Sequence, residues 1–229
     1  MTRIITALLL IPFIAWVTLA SPHWVFMAVL AITGLLAYSE FDHIAAAQGI
    51  ARAGLPGMAA GLALLLAPNA VGVVVLIAML GMTLALRVND LAAAMPAAGA
   101  FTLGIIYIFG AWHCAADLRA INPHWLLFAM LLSWGGDIAA LYIGRPFGKH
   151  KMAPRVSPAK SWEGAAGSVA GGMLVGGIYA HYLIPQAPLV QALALAAAGN
   201  IAGQHANSSF GCKPLPFVGP CDRPDFTSF

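Results

Sequence analysis

From Ile4 to Gly203 the chain passes from one apolar run to the next, and its charge gathers in one stretch, Asp137 to Gly164. That pattern constrains the fold more than any other feature. A helix crosses the hydrocarbon core of a bilayer with about 20 apolar residues. Runs near that length stand at about 4–20, 24–39, 54–67, 69–86, 91–113, 124–143, 164–183 and 187–203. The expected fold is therefore all-α: a polytopic transmembrane helix bundle of about eight spans, with a basic cytoplasmic loop before the seventh. Composition agrees. The chain is 61% hydrophobic and only 8% charged, whereas a soluble domain carries about 25% charged residues. The net charge of +3 is small, and no nucleic-acid partner is expected.

Orientation follows from Lys and Arg, which concentrate on the cytoplasmic side of membrane proteins. With the N-terminus in the cytoplasm, Arg3, Arg52, Arg87, Arg145, Lys149, Lys151, Arg155, Lys160, Lys213 and Arg223 fall inside and Arg119 alone falls outside. The reversed topology inverts this split. The first run could pass for a signal peptide, but further apolar runs follow at once, so an uncleaved first helix is expected. The third and fourth runs are separated only by Pro68-Asn69, which suits a tight hairpin or a re-entrant pair. Pro12 and Pro96 fall inside spans and should kink them. The seventh run carries Gly167-x-x-x-Gly171 and Gly172-x-x-x-Gly176, stripes of small residues that let helix backbones approach closely. Residues 1–206 read as one transmembrane domain. From about Asn207 four prolines, Pro214, Pro216, Pro220 and Pro224, exclude a regular helix. Residues 207–229 read as an irregular, Pro-rich cytoplasmic tail.

The charged stretch holds the chemistry. Between Arg145 and Lys160 five cations are interleaved with Gly148, Pro154, Ser157 and Pro158, which reads as a loop rather than a helix. Lys, Arg, serine hydroxyls and free backbone N–H groups all suit phosphate. Gly144, Arg145, Lys149, Lys151, Ser157 and Ser161 are thus candidate substrate-binding positions. Positive-inside topology accounts for any one of these cations equally well. Ser161 is a candidate N-cap of the following helix, and Glu163 suits its positive end. Lys160 beside that helix start favours an anion site. Asp137 stands inside an apolar span, about two turns before the loop, where a buried carboxylate costs a few kcal/mol. It is a candidate catalytic residue with Lys160 and Glu163, or else a partner for a neighbouring helix or arginine.

Other reactive side chains form no pattern. The seven histidines are scattered, with no metal-ligand spacing, and only His150 lies where it could help the basic loop. Cys114 reads as a small core residue. Cys212 and Cys221 have no partner spacing to explain them.

The stretch G-R-P-F-G-K-H-K-M-A-P-R-V-S-P-A-K-S-W-E-G resembles the cytoplasmic loop of the phosphatidate cytidylyltransferases, the CDP-diacylglycerol synthases. Asp137 stands where that family has an aspartate, and R-I-I-T-A-L-L-L-I-P-F is similar to its N-terminus. The resemblance covers about residues 3–213. It implies transfer of CMP from CTP to phosphatidic acid, giving CDP-diacylglycerol and pyrophosphate in phospholipid biosynthesis. It also implies a multi-pass enzyme of a bacterial-type inner membrane, a homodimer and a requirement for Mg²⁺. Such chemistry is largely positioning and charge neutralisation, at the surface where a soluble nucleotide meets a lipid headgroup.

Beyond about Gly199 the pattern departs from that family. Gly199, Gly211 and Lys213 fall at matching spacing, so the resemblance implies substrate contact by Lys213. Asn200 stands for an aspartate, and Asp222-Arg223-Pro224-Asp225 resembles a family D-R-x-D reached about five residues early. The implied metal positions are Asn200, Asp222 and Asp225. Two rival readings follow: a weak or inactive relative that binds anionic lipid or nucleotide, and a small membrane transporter with a basic gate.

Overall fold

The computed structural model describes the backbone of residues 2–86, 91–153 and 157–209, and side chains over 10–86, 93–152 and 160–203. Nearly all of it is helix: α1 (Thr2–Leu19), α2 (His23–Ala47), α3 (Gly54–Leu66), α4 (Ala70–Ala85), α5 (Leu91–Ile105), α6 (Ala111–Ile121), α7 (Pro123–Phe147), α8 (Trp162–Leu183) and α9 (Leu189–Ser209). A five-residue π turn, Ile106–Gly110, joins α5 to α6 without a break. Each apolar run of the sequence is helical, but α2 continues to Ala47 rather than ending near 39, and the helix from Leu91 continues to Ile121 rather than ending near 113. Pro12 and Pro96 lie inside α1 and α5.

By length and apolarity, His23–Ala47, Ala93–Ile121 and Pro123–Phe147 are each able to cross a membrane. Leu10–Leu19, Gly54–Leu66, Ala70–Ala85 and Leu189–Gly203 are apolar but shorter. With 61% hydrophobic residues, this is a membrane protein.

The chain forms two compact units, dividing between Leu126 and Leu127. In the first, the π turn presents Phe109, fully buried, against Gly34 of α2 and Gly61 of α3. Tyr38 packs on the same ring at 5.9 Å and fills the space above Gly57. Asp42 near the end of α2 accepts from the N–H groups of Ala53 (2.9 Å) and Gly54 (3.2 Å), so one carboxylate caps the start of α3. Asn69 caps α4 in the same way, accepting from Val71 and Gly72. Arg119 donates to the carbonyls of Thr18 (2.8 Å) and Ser21 (2.5 Å) and stacks over Phe26. Cys114, expected in the core, is exposed: it lies on the outward side of α6, a helix with no buried residue.

In the second unit α7, α8 and α9 pack through glycine. Gly167 receives Ile143, Gly171 receives Ala139, and Gly176 receives Leu132, so the small-residue stripes of α8 do bring α7 close. The fully buried Ala192 and Ala196 stand on α9.

The stretch expected to be a loop is more ordered than that. α7 runs on through Gly144, Arg145 and Pro146 to Phe147. Pro146 costs the last turn one hydrogen bond and crowds the carbonyl four residues back, and the helix ends one residue later. Beyond Gly148 the chain makes an antiparallel hairpin, β1 (Lys151–Ala153) with β2 (Ser157–Ser161), with Lys151 opposite Ser161 and a register shift within β1. The tail expected from Asn207 also begins later, since α9 reaches Ser209. The rest of the tail lies outside the described residues.

Candidate functional site

Arg145, Lys149, Lys151, Lys160, Ser161 and Glu163 stand on or beside the segments where α7 ends, β1 pairs with β2 and α8 begins. Glycine makes that junction possible. A methyl group on Gly144 would sit 3.3 Å from Cα of Gly164, and one on Gly164 would sit 3.2 Å from Cα of Gly144. The two helices therefore touch backbone to backbone. Gly148 donates its N–H to the Gly144 carbonyl at 3.1 Å, closing α7, and a methyl there would overlap that same oxygen and Ser161 Oγ.

Ser161 is the N-cap of α8, as its sequence position suggests. Its hydroxyl is buried and accepts from the Gly164 N–H at 3.1 Å. Glu163, in the first helical turn, turns back to His150. Its carboxylate accepts from the His150 N–H (3.2 Å to Oε1) and lies 2.7 Å from His150 Nδ1. Its own backbone N–H, and then the His150 imidazole, hold its carboxyl below the ordinary glutamate value. The start of α8 thus already has a carboxylate of the chain beside it. That is the arrangement a positive helix end favours.

Lys160, on β2, is half-buried. Burial pushes its ammonium below the usual lysine range, while the charge of Asp137 pulls the other way. The structure thus brings Lys160 within electrostatic reach of Asp137. Asp137 itself is exposed on α7 rather than buried. It follows directly on Gly136, which faces inward, so a step of about 100° along the helix turns the carboxylate outward. Arg145, Lys149 and Lys151 are all exposed around the junction. The Ser157 side chain, Lys213, Asp222 and Asp225 lie outside the described residues.

Asn200 is not part of this cluster. It is buried among α7, α8 and α9. Its Nδ2 donates to the Ala196 carbonyl at 3.0 Å and its Oδ1 accepts from the Ser168 hydroxyl at 3.3 Å. Gly136 and Gly172 leave the room for its amide. Mg²⁺ asks for carboxylate oxygens in octahedral array. Among the described residues no three His, Cys, Asp or Glu side chains come together, and the Asn200 amide is already engaged. The described donors do not fit the ion by themselves.

Sequence reasoning gave His150 only a loose part in the loop. The signal was an imidazole set between Lys149 and Lys151, thirteen residues ahead of an isolated glutamate at a helix start.

Residues 1–205 match the model of the cytidylyltransferase family. The chain belongs to that family. Its cytidylyltransferase relatives include the phosphatidate cytidylyltransferase of Pseudomonas aeruginosa, 41% identical over 70 residues, which are 30% of this chain and 26% of that protein. The phosphatidate cytidylyltransferase of Brucella suis biovar 1 is 35% identical over 128 residues, 52% of this chain and 45% of the relative. That of Bacillus subtilis is 30% identical over 94 residues, 40% of this chain and 34% of the relative. The aligned stretches thus span less than half the length of these curated relatives.

Proposed function

We propose that this cytidylyltransferase transfers CMP from CTP to phosphatidic acid, forming CDP-diacylglycerol and releasing pyrophosphate. The observation that carries the reading is that Arg145, Lys149, Lys151 and the half-buried Lys160 all stand on the segments that join the end of α7 to the start of α8. Two polyanions, a triphosphate and a lipid phosphate, must be held together there with their mutual repulsion offset. Cations fixed on a hairpin at the end of membrane helices suit that task. Lys160 would contact a substrate phosphate, with Asp137 orienting its ammonium. Arg145, Lys149 and Lys151 would screen the remaining charge. The lipid phosphate oxygen then attacks the α-phosphorus of CTP, and pyrophosphate leaves.

Membership of the family and the names of the relatives support this choice of substrates. The split of cationic residues supports about eight spans with the N-terminus and the hairpin in the cytoplasm, and the family resemblance supports an inner membrane. The family resemblance supports Mg²⁺ as the ion accompanying the triphosphate, Asp222 and Asp225 as carboxylates toward it, Lys213 as a further phosphate contact, and a homodimer.

The test is release of labelled pyrophosphate and formation of CDP-diacylglycerol by purified protein with phosphatidic acid in mixed micelles. Turnover that needs both substrates and stops with a chelator is the expected result. CTP binding without turnover would instead identify a relative that binds and does not transfer.

A further inference from the structure

The hairpin carries Lys151 and Lys160, with Lys149 two residues ahead of it, yet a two-stranded ribbon is at best marginally stable alone. What fixes it to α8 is therefore decisive for where its cations stand. Three contacts to the first turn of α8 pass through one residue. The Trp162 N–H donates to the His150 carbonyl at 2.9 Å. The His150 N–H donates to the Glu163 carboxylate, 3.2 Å to Oε1 and 3.3 Å to Oε2. His150 Nδ1 lies 2.7 Å from Oε1 of the same group. Glu163 is partly covered, whereas the imidazole is 80% exposed, so the ring fills no core and its contact is a polar one. Lys149 and Lys151 are its immediate neighbours, and Lys151 pairs across the ribbon with the α8 N-cap, Ser161.

We propose that His150 is a positioning residue, which holds the hairpin's lysines in register over the start of α8 through its latch to Glu163. The role rests on the reading of these lysines as phosphate ligands. The imidazole touches no substrate. It sets where Lys149 and Lys151 project, and Glu163 acts through it rather than on the reacting phosphates. A charge-assisted hydrogen bond is the stronger kind. Its loss leaves the fold of the helices intact and widens the range of positions open to the cations.

Hydrogen exchange of the hairpin amides, the Kd for inorganic pyrophosphate and the KM for CTP are to be measured on the full chain in nanodiscs. His150→Ala should speed exchange and raise both constants severalfold, up to about fivefold, the scale of one exposed charged contact, with kcat little changed. His150→Asn, whose amide nitrogen stands near the place of Nδ1, should restore all three. Faster exchange in His150→Ala with unchanged pyrophosphate and CTP constants would reduce the latch to a structural tie and overturn the proposal. So would wild-type exchange in that variant. If the wild-type chain binds pyrophosphate but transfers no CMP, the transfer reading falls, and the pyrophosphate Kd of the variants alone decides the role of His150.

Discussion

The hydroxyl of Ser168 on α8 donates to Oδ1 of Asn200 on α9, and both groups are buried between apolar helices. The amide also returns a hydrogen bond to its own helix at Ala196. Hydrogen bonds between membrane helices contribute about 0.6 kcal/mol on average and up to about 1.7. Asn200 is thus well placed to join the helices of the second unit.

That placement predicts the behaviour of Asn200→Ala. Stability against unfolding in a mixed-micelle titration should fall by about 1 kcal/mol or more, because the Ser168–Asn200 hydrogen bond is lost and a void opens beside Gly136 and Gly172. Ser168→Ala should give a smaller loss, and the double variant less than the sum. If Asn200 serves a metal instead, Asn200→Ala will keep full stability and lose activity that rising Mg²⁺ restores.

A second expectation concerns Gly148. A side chain there meets backbone, the Gly144 carbonyl oxygen, as well as Ser161 Oγ. Gly148→Ala must therefore displace the end of α7 or break the N-cap of α8. Overpacking of this kind costs about 1–3 kcal/mol. Proteolysis at the hairpin should accelerate, while Gly99→Ala, at an open position, should change nothing. Equal protease resistance in the two variants would show that the junction yields easily.

Much of this architecture was legible in the sequence, for a physical reason. Membrane helices are written as long apolar runs, and the gaps at Ser21-Pro22 and Pro68-Asn69 read as short connections, whereas the break expected over 114–123 is mostly helix α6. Ser161 was readable as an N-cap because capping is local. The hairpin was not readable: Lys149, His150 and Lys151 have no alternating apolar pattern, and the ribbon is held by contacts from His150 to a residue thirteen positions later. The outward turn of Asp137 and the inward turn of Asn200 were hidden too. Both depend on which face of a helix meets its neighbours, and a helix apolar all round does not announce that face.

Orientation is open to direct chemical test. Cysteines placed at Lys149 and Arg155 in a Cys-free background should react with an impermeant thiol reagent only after the membrane is opened. A cysteine at Arg119 should react in intact cells if its surroundings admit the reagent. Labelling of the hairpin positions from outside would reverse the topology.

The last prediction follows from the titration of Lys160. Burial lowers its pKa below the ordinary lysine value, with Asp137 partly offsetting the effect. The protonated ammonium is the form that attracts phosphate. Affinity for CTP should therefore be full at neutral pH and decline as pH rises through that lowered value, earlier than for an exposed lysine. Bound phosphate favours the charged form, so nucleotide binding in this alkaline range should take up protons. Lys160→Arg keeps its charge throughout and should lose the alkaline decline, although its geometry differs. Lys160→Met should bind about tenfold more weakly at neutral pH, the order of one charge-assisted contact, and show no such decline. The profiles can be read by calorimetry in two buffers of different ionisation enthalpy. A Lys160→Met profile that superimposes on the wild type would remove Lys160 from the phosphate site and leave Arg145, Lys149 and Lys151 to hold it.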